Sequence, residues 1–148
     1  MRILIKEYKK SDKKRVLDLL KFNTPKYFSV DEEKDLIYYL DNQIEQYFVI
    51  ENESKLIGCG GINYEDFNTI GIISWDIIHP DFQKKGVGSQ LLKHRIEILK
   101  SVKELKAIKV RTSQLTNDYY AKLGFELIVI KKNYWAKGFD LYEMLLKL

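Results

Sequence analysis

The order of periodicities along the chain predicts a mixed α/β domain, and three observations carry that reading. Short runs of β-branched and aromatic residues alternate with helical patterns instead of segregating from them. The stretch from Tyr47 to Ile78 holds three such runs joined by turn chemistry, the pattern of an antiparallel meander. A strand, a glycine loop, a helix and another strand follow from Ile70 to Arg111. Such a crossover makes its two strands parallel, with a right-handed connection. The 148 residues fit one domain spanning 1–148, with no repeat, low-complexity segment or linker.

Ile3 to Lys6 reads as a first strand. Ser11 or Asp12 can cap a helix whose Val16, Leu17, Leu19 and Leu20 share one side. Asn23-Thr24-Pro25 ends it, because proline cannot continue a helix and pushes its predecessor toward extended geometry. Ser29-Val30-Asp31-Glu32 is a capping box, so a second helix begins there with Leu36, Ile37 and Leu40 inward. Strands follow at Tyr47–Ile50, Leu56–Ile62 and Ile70–Ile78, separated by Asn52-Glu53-Ser54 and by Asp66 to Asn68. Pro80 stops the last of them. The next helix runs to about Val102; Leu91, Leu92, Ile96, Leu99 and Val102 face inward, and Gln90, Lys93, His94, Glu97 and Lys100 face water. Ala107–Arg111 is a strand and Thr116–Leu123 a short helix ended by Gly124. Phe125–Ile130 and Leu141–Leu146 close the sheet.

Composition excludes several classes of function. Lys and Arg number 25 against 21 Asp and Glu, and the two signs are interleaved, so no basic block argues for nucleic acid. A modest positive excess suits an anionic small molecule equally well. No apolar run approaches the ~20 residues of a membrane span, and no signal-peptide pattern opens the chain. With a single cysteine, Cys59, no internal disulfide is possible, and the expected compartment is the cytoplasm. One Cys and two His make no metal cluster, so no metal is expected. Cys59, flanked by glycine in a strand, reads as an inert buried thiol.

The informative segment is Trp75-Asp76-Ile77-Ile78-His79-Pro80-Asp81-Phe82-Gln83-Lys84-Lys85-Gly86-Val87-Gly88-Ser89. Two glycines at a helix start expose amides that no carbonyl four residues back can satisfy. The helix dipole adds positive character, and the missing side chains admit a bulky anion such as a pyrophosphate. Lys84 and Lys85 add full charges. The P-loop spacing is absent, and Leu91 stands where a dinucleotide loop needs its third glycine.

The segment resembles motif A of the GNAT acetyltransferases, whose core is Arg or Gln, two residues, Gly, one residue, then Gly or Ala; Gln83, Gly86 and Gly88 match it. Tyr119-Tyr120-Ala121-Lys122-Leu123-Gly124-Phe125 resembles the same family's F-Y-x-K-x-G-F signature. The two stand in the family's order and spacing over nearly the whole chain. The resemblance implies a sheet that splays between the Ile70–Ile78 and Ala107–Arg111 strands, with the pantetheine arm of acetyl-CoA in the splay, pairing with backbone near Ile78. It implies that Gln83 and the amides of Lys84, Lys85, Gly86, Val87, Gly88 and Ser89 hold the pyrophosphate. Ser113 stands where many relatives have a cofactor-contacting Asn, and Asn117 lies nearby.

The reaction so implied moves an acetyl group from acetyl-CoA directly onto the primary amine of an acceptor in a ternary complex. That acceptor is a small molecule or a protein amine whose identity lies outside the sequence. A non-catalytic acyl-CoA-binding module of the same fold is the alternative, and a homodimer is compatible with either. Acyl transfer needs a neutral amine, an oxyanion donor and a proton for the departing thiolate. By its place in the signature Tyr120 is the candidate acid, against a packing role. Asp76, two residues before Ile78, shares that residue's face and is the candidate base, against a role as tether or substrate ligand. His79 is expected on the opposite side, and His94 in solvent. Tyr27, Phe28, Tyr134 and Trp135, in the Phe22–Phe28 connection and an Asn133–Gly138 loop, are the expected aromatic wall for the acceptor.

Overall fold

The computed structural model describes all 148 residues. Seven strands form one sheet: β1 Leu4–Glu7, β2 Gln46–Asn52, β3 Lys55–Glu65, β4 Ile70–Ile78, β5 Ala107–Thr112, β6 Glu126–Ala136 and β7 Phe139–Lys147. Their order is β1-β2-β3-β4-β5-β7-β6, antiparallel throughout except for the parallel pair β4–β5. Four helices accompany it: α1 Lys13–Phe22, α2 Glu33–Asn42, α3 Val87–Lys100 and α4 Asn117–Lys122. No helix is long and apolar enough to cross a membrane.

Strand alternation divides the core in two. Phe48, Ile50, Ile57, Ile62, Ile73, Ile108 and Val110 pack with Val87, Leu91, Leu92 and Leu99 of α3. Tyr47, Val49, Leu56, Cys59 and Ile77 pack with Val16, Leu19 and Leu20 of α1 and Leu36, Tyr39 and Leu40 of α2. Neighbouring residues of one strand thus serve opposite layers, as a pleat requires.

Both early helices start through a single tight turn. Asp12 Oδ2 accepts the Lys9 amide at 2.9 Å, and Glu32 accepts the Ser29 amide at 2.8 Å while Ser29 Oγ accepts from Asp31. The second arrangement is the capping box read from Ser29 to Glu32. Two expectations need correction. His94 is half-buried, because Phe48 of β2 reaches that side of α3 and meets its ring edge-on at 5.0 Å. The Asn133–Gly138 loop is instead the end of a hairpin, since β6 continues to Ala136. The polar residues that suggest a loop tie the two strands together: the Asn133 amide donates to Asp140, and Asn133 Oδ1 accepts from Gly138, each at 2.8 Å.

Two irregularities shape the centre of the sheet. First, β4 and β5 pair only from Ile70–Ala107 to Ile73–Val110. Beyond that, Ser74 to Ile78 bonds to β3 alone, while Arg111 and Thr112 pair with β7, so the sheet parts. Second, β4 carries a bulge. Ser74 stands opposite Gly61 and Ile77 opposite Cys59, which leaves Trp75 and Asp76 facing Gly60 alone. Trp75 adopts φ +49°, a left-handed conformation that costs a bulky residue energy. Its side chain joins the α1–α2 layer, and Asp76 consequently points to the α3 layer with Ile78.

Candidate active site

The glycine loop ends where the sheet parts. His79 opens it by accepting the Asp81 amide on Nδ1, which caps the turn Pro80–Phe82. Burial, with a contribution from Lys55, lowers the His79 pKa, and its ring lies 5.0 Å from Phe22 of α1. It therefore faces away from Asp76, as expected. Lys84 and Gly86 take left-handed φ values of 60° and 83°, and Gly86 precedes the first residue of α3. A Cβ on Gly86 would meet nothing within 4 Å, so its side stays open to a ligand. None of the amides from Lys84 to Ser89 donates to a carbonyl of the chain; Gln90 is the first to do so, to Gly86. Six donors thus gather at the positive end of a fourteen-residue helix. Val87 is buried and offers only its backbone, whereas Lys84, Lys85 and Ser89 are exposed.

Gln83 is placed differently from its expected role. Its side-chain amide donates to Asn23 Oδ1 and to the Ile78 carbonyl, both at 3.2 Å. It fastens the loop to the end of β4 and to the buried Asn23 that closes α1. The reason is reach: Gln83 sits in extended backbone before the loop turns, on the α1 side. Ile78 itself pairs with Gly58 of β3, and its side chain lies 3.7 Å from the Cβ position of Gly88.

Across the split, β5 leads through a polar turn into α4. Ser113 Oγ accepts the Leu115 amide at 3.2 Å, and its carbonyl accepts from Thr116 and Asn117, so Ser113 shapes the turn and Asn117 opens the helix half-buried. From α4 two neighbouring tyrosines return to the other side. The Tyr119 hydroxyl lies 3.0 Å from Ser89 Oγ at the glycine loop. The Tyr120 hydroxyl donates to Asp76 Oδ2 at 3.1 Å. The buried Tyr120 ring also packs edge-on against Phe125. Burial, reinforced by the adjacent carboxylate, pushes the Tyr120 pKa well above its ordinary value, so the phenol is protonated across the physiological range.

Asp76, the candidate base, is engaged on both of its oxygens. Arg95 of α3 holds it with both terminal nitrogens, Nη1 to Oδ1 at 2.5 Å and Nη2 to Oδ2 at 2.7 Å. Nη1 also donates to the Gly61 carbonyl at 3.0 Å, and the Arg95 side chain is fully buried. The carboxylate so paired bridges Arg95 and the Tyr120 hydroxyl. Arg95 itself has a signal in the sequence that periodicity alone overlooks. It lies at four-residue spacing between Leu91 and Leu99, in the middle of the apolar stripe, where only a partnered cation can sit.

On the opposite face Trp75 stacks on Phe28 at 6.3 Å, and its carbonyl accepts the Tyr47 hydroxyl at 2.9 Å. Trp135 donates to the Thr112 carbonyl, and Tyr134 accepts from Arg111. β6 packs against the turn Val30–Glu32, so the hairpin and the α1–α2 segment do approach one another. Cys59 is fully buried, its pKa pushed up to about 12 chiefly by burial, and is inert. No three metal-ligating side chains gather anywhere.

A split sheet, a donor-lined helix start and a tyrosine spanning the gap are features that sequence comparison can place. The family model for the acetyltransferase (GNAT) family matches residues 14–125. The chain belongs to the GNAT acetyltransferase family. An amino-acid acetyltransferase of Pseudomonas fluorescens (strain Pf0-1) is 30% identical over 87 residues, covering 59% of this chain and 20% of that protein. The match thus spans about a fifth of the relative's length. Among solved structures, Ard1 from Thermoplasma volcanium aligns with a TM-score of 0.82 at 16% identity, covering 100% of this chain and 99% of that one. An aminoglycoside 6′-N-acetyltransferase complexed with coenzyme A aligns with a TM-score of 0.77 at 14% identity, covering 97% and 96%. At such identities these likenesses establish the GNAT fold.

Proposed function

We propose that this chain is an acetyl-CoA-dependent N-acetyltransferase that transfers directly to a primary amine bound beside the cosubstrate. The observation that carries the reading is the parting of β4 from β5 next to six amides that have no acceptor within the chain. The fit is physical: the amides of Lys84 to Ser89, with the Lys84 and Lys85 charges, suit a pyrophosphate, and the gap beside Ser74–Ile78 suits a slender arm that bonds to strand backbone. Ser113 and Asn117 would face that arm from the β5 side. Acetyl-CoA, when bound, supplies the acetyl group as a thioester.

The chain's own residues then have three tasks. The unpaired edge of β4 near Ile78 offers an amide to the carbonyl oxygen as charge develops there. Tyr120, its oxygen held beside Asp76, stands across the gap; its O–H turns from Oδ2 toward the departing sulfur and gives up its proton there. The acceptor nitrogen forms the new C–N bond as the C–S electron pair leaves, and its surplus proton returns through water to Tyr120. The amide product and the free thiol balance the step. Because Asp76 is committed to Arg95, water takes the first proton from the ammonium form of the acceptor. The acceptor enters on the face of Phe28, Trp75 and Trp135. A lone buried thiol accords with a reducing cytoplasm.

The test is a screen of amines with purified protein and acetyl-CoA, reading thiol release. Saturable release with one amine class supports the proposal. Tight acetyl-CoA binding with no release from any amine would favour the non-catalytic module.

A further inference from the structure

Acetyl transfer, as proposed above, uses Tyr120 and leaves Arg95 without a stated role, yet the fold commits unusual local structure to Arg95. The guanidinium is fully buried under α3. Trp75 adopts a left-handed conformation, which turns Asp76 toward that guanidinium. Gly60, in mid-strand, leaves the room both need: a Cβ there would lie 2.5 Å from Asp76 Oδ1 and 2.9 Å from Arg95 Nη1. All three features converge on one point, and the atom beyond that point is the Tyr120 hydroxyl. For joining helix to sheet alone, apolar side chains like those of Leu91 and Leu99 serve at least as well as a buried ion pair.

We propose that Arg95 is a positioning residue for acetyl transfer: by clamping both oxygens of Asp76 it fixes the carboxylate that orients the Tyr120 hydroxyl across the split sheet. The inference rests on the acetyltransferase reading for its kinetic consequence, and on geometry for the linkage. The clamp is planar and two-pronged, so the carboxylate cannot rotate, and the Oδ2 lone pair not used by Nη2 is aimed at the phenol. The positive charge also offsets the carboxylate in part, opposing the rise that burial and Asp76 impose on the phenol. A lysine would keep the charge and lose the fork.

The test compares Arg95→Lys, Arg95→Met, the apolar pair Arg95→Met with Asp76→Leu, and Tyr120→Phe. The apolar pair removes both charges together, so no lone carboxylate is left buried. It is expected to melt close to the unaltered protein and to bind acetyl-CoA normally. Its kcat should nevertheless fall about 10²-fold, the usual cost of a misplaced reacting group, with the KM for acetyl-CoA within about twofold. Adding Tyr120→Phe to the pair should cost nothing further, because both changes remove one function. Recovery of kcat together with stability in the apolar pair would reduce Arg95 to a structural strut. Arg95→Lys, which keeps the charge pair, should fold even if the apolar pair does not, and is expected to lose about tenfold in kcat through the same loosened geometry. Unchanged kcat in Arg95→Lys overturns the proposal. A second readout needs no turnover: the ring Cζ resonance of Tyr120, labelled with carbon-13, should move in Arg95→Lys and in the apolar pair alike. An unmoved resonance ends the linkage. If the resonance moves while no amine releases thiol even from the unaltered protein, the acetyl-transfer reading fails and the Arg95–Tyr120 linkage stands.

Discussion

Gly60→Ala is the smallest change that tests the centre of the site. The added methyl group would lie 2.5 Å from Asp76 Oδ1, 2.9 Å from Arg95 Nη1 and 3.0 Å from Leu91 Cδ2. All three are side-chain atoms, but none is free to retreat. Asp76 is held by two guanidinium nitrogens and a phenol, Arg95 is fully buried, and Leu91 is 0% exposed at the core. Forcing one methyl group into such a space costs ~1–3 kcal/mol. A value of ~2 kcal/mol corresponds to a fall of about 4–8 °C in melting temperature for a chain of this size. Because the carboxylate is what moves, kcat should fall as well, by about tenfold or more. The assay is thermal unfolding beside steady-state kinetics, with Gly88→Ala as a steric comparison. That Cβ would lie 3.7 Å from Ile78, an ordinary contact, so no packing penalty is expected. A Gly60→Ala protein that melts within about 1 °C of the parent and keeps its kcat would refute the argument, since the ion pair would then have shifted at negligible cost.

The remaining expectations are more direct. Tyr120→Phe should lower kcat by about 10²-fold, the low end for a positioned acid, while acetyl-CoA affinity stays nearly constant; retention of more than half the rate would leave Tyr120 a packing residue. Gly86→Leu and Gly88→Leu should each weaken acetyl-CoA binding by about tenfold or more, roughly 1.4 kcal/mol, measured by calorimetry. Undiminished binding in both would remove the loop from the site. Glu32 is buried, and burial raises its pKa despite the Ser29 amide it accepts. The folded state therefore holds the Glu32 proton more tightly than the unfolded chain, and stability from this group declines as pH rises through the folded pKa. Glu32→Gln keeps the capping geometry without the charge. Melting temperatures of the two proteins should coincide below the ordinary glutamate pKa and separate in favour of Gln at neutral pH. The reverse order at neutral pH would contradict the assignment.

Most of the fold is legible because it is locally encoded. The capping box at Ser29, the break after Phe22, the turns at Asn52–Ser54 and Asp66–Asn68 and the glycine loop each carry their own chemistry within a few residues. The β6–β7 hairpin is less legible. Asn133 and Gly138 carry loop chemistry, yet they bond across the hairpin end, and that use depends on Asp140 arriving from the other strand. His94 misleads for a related reason. Helical periodicity assigns it to the polar side, but how far a sheet reaches around a helix depends on strand twist, which no single segment encodes.

The site shows most clearly where local reading stops. Counting back in twos from Ile78 puts Asp76 on the α3 face, which is where it lies. Counting forward in twos from Ile73, which also faces α3, puts Trp75 there and Asp76 on the other side. The counts disagree because one bulge residue separates them, and nothing in Ser74-Trp75-Asp76 announces a bulge. Its causes lie elsewhere: Gly60 leaves space opposite, the Tyr47 hydroxyl takes the Trp75 carbonyl, and Arg95 draws the carboxylate across. Of these, Arg95 alone can be reasoned from sequence. A cation in the middle of a buried helical stripe calls for buried partners, an acid foremost, and Asp76 is the acid that a bulge in β4 delivers. The conflict between the two counts and the unexplained arginine are therefore one problem, and the bulge solves both.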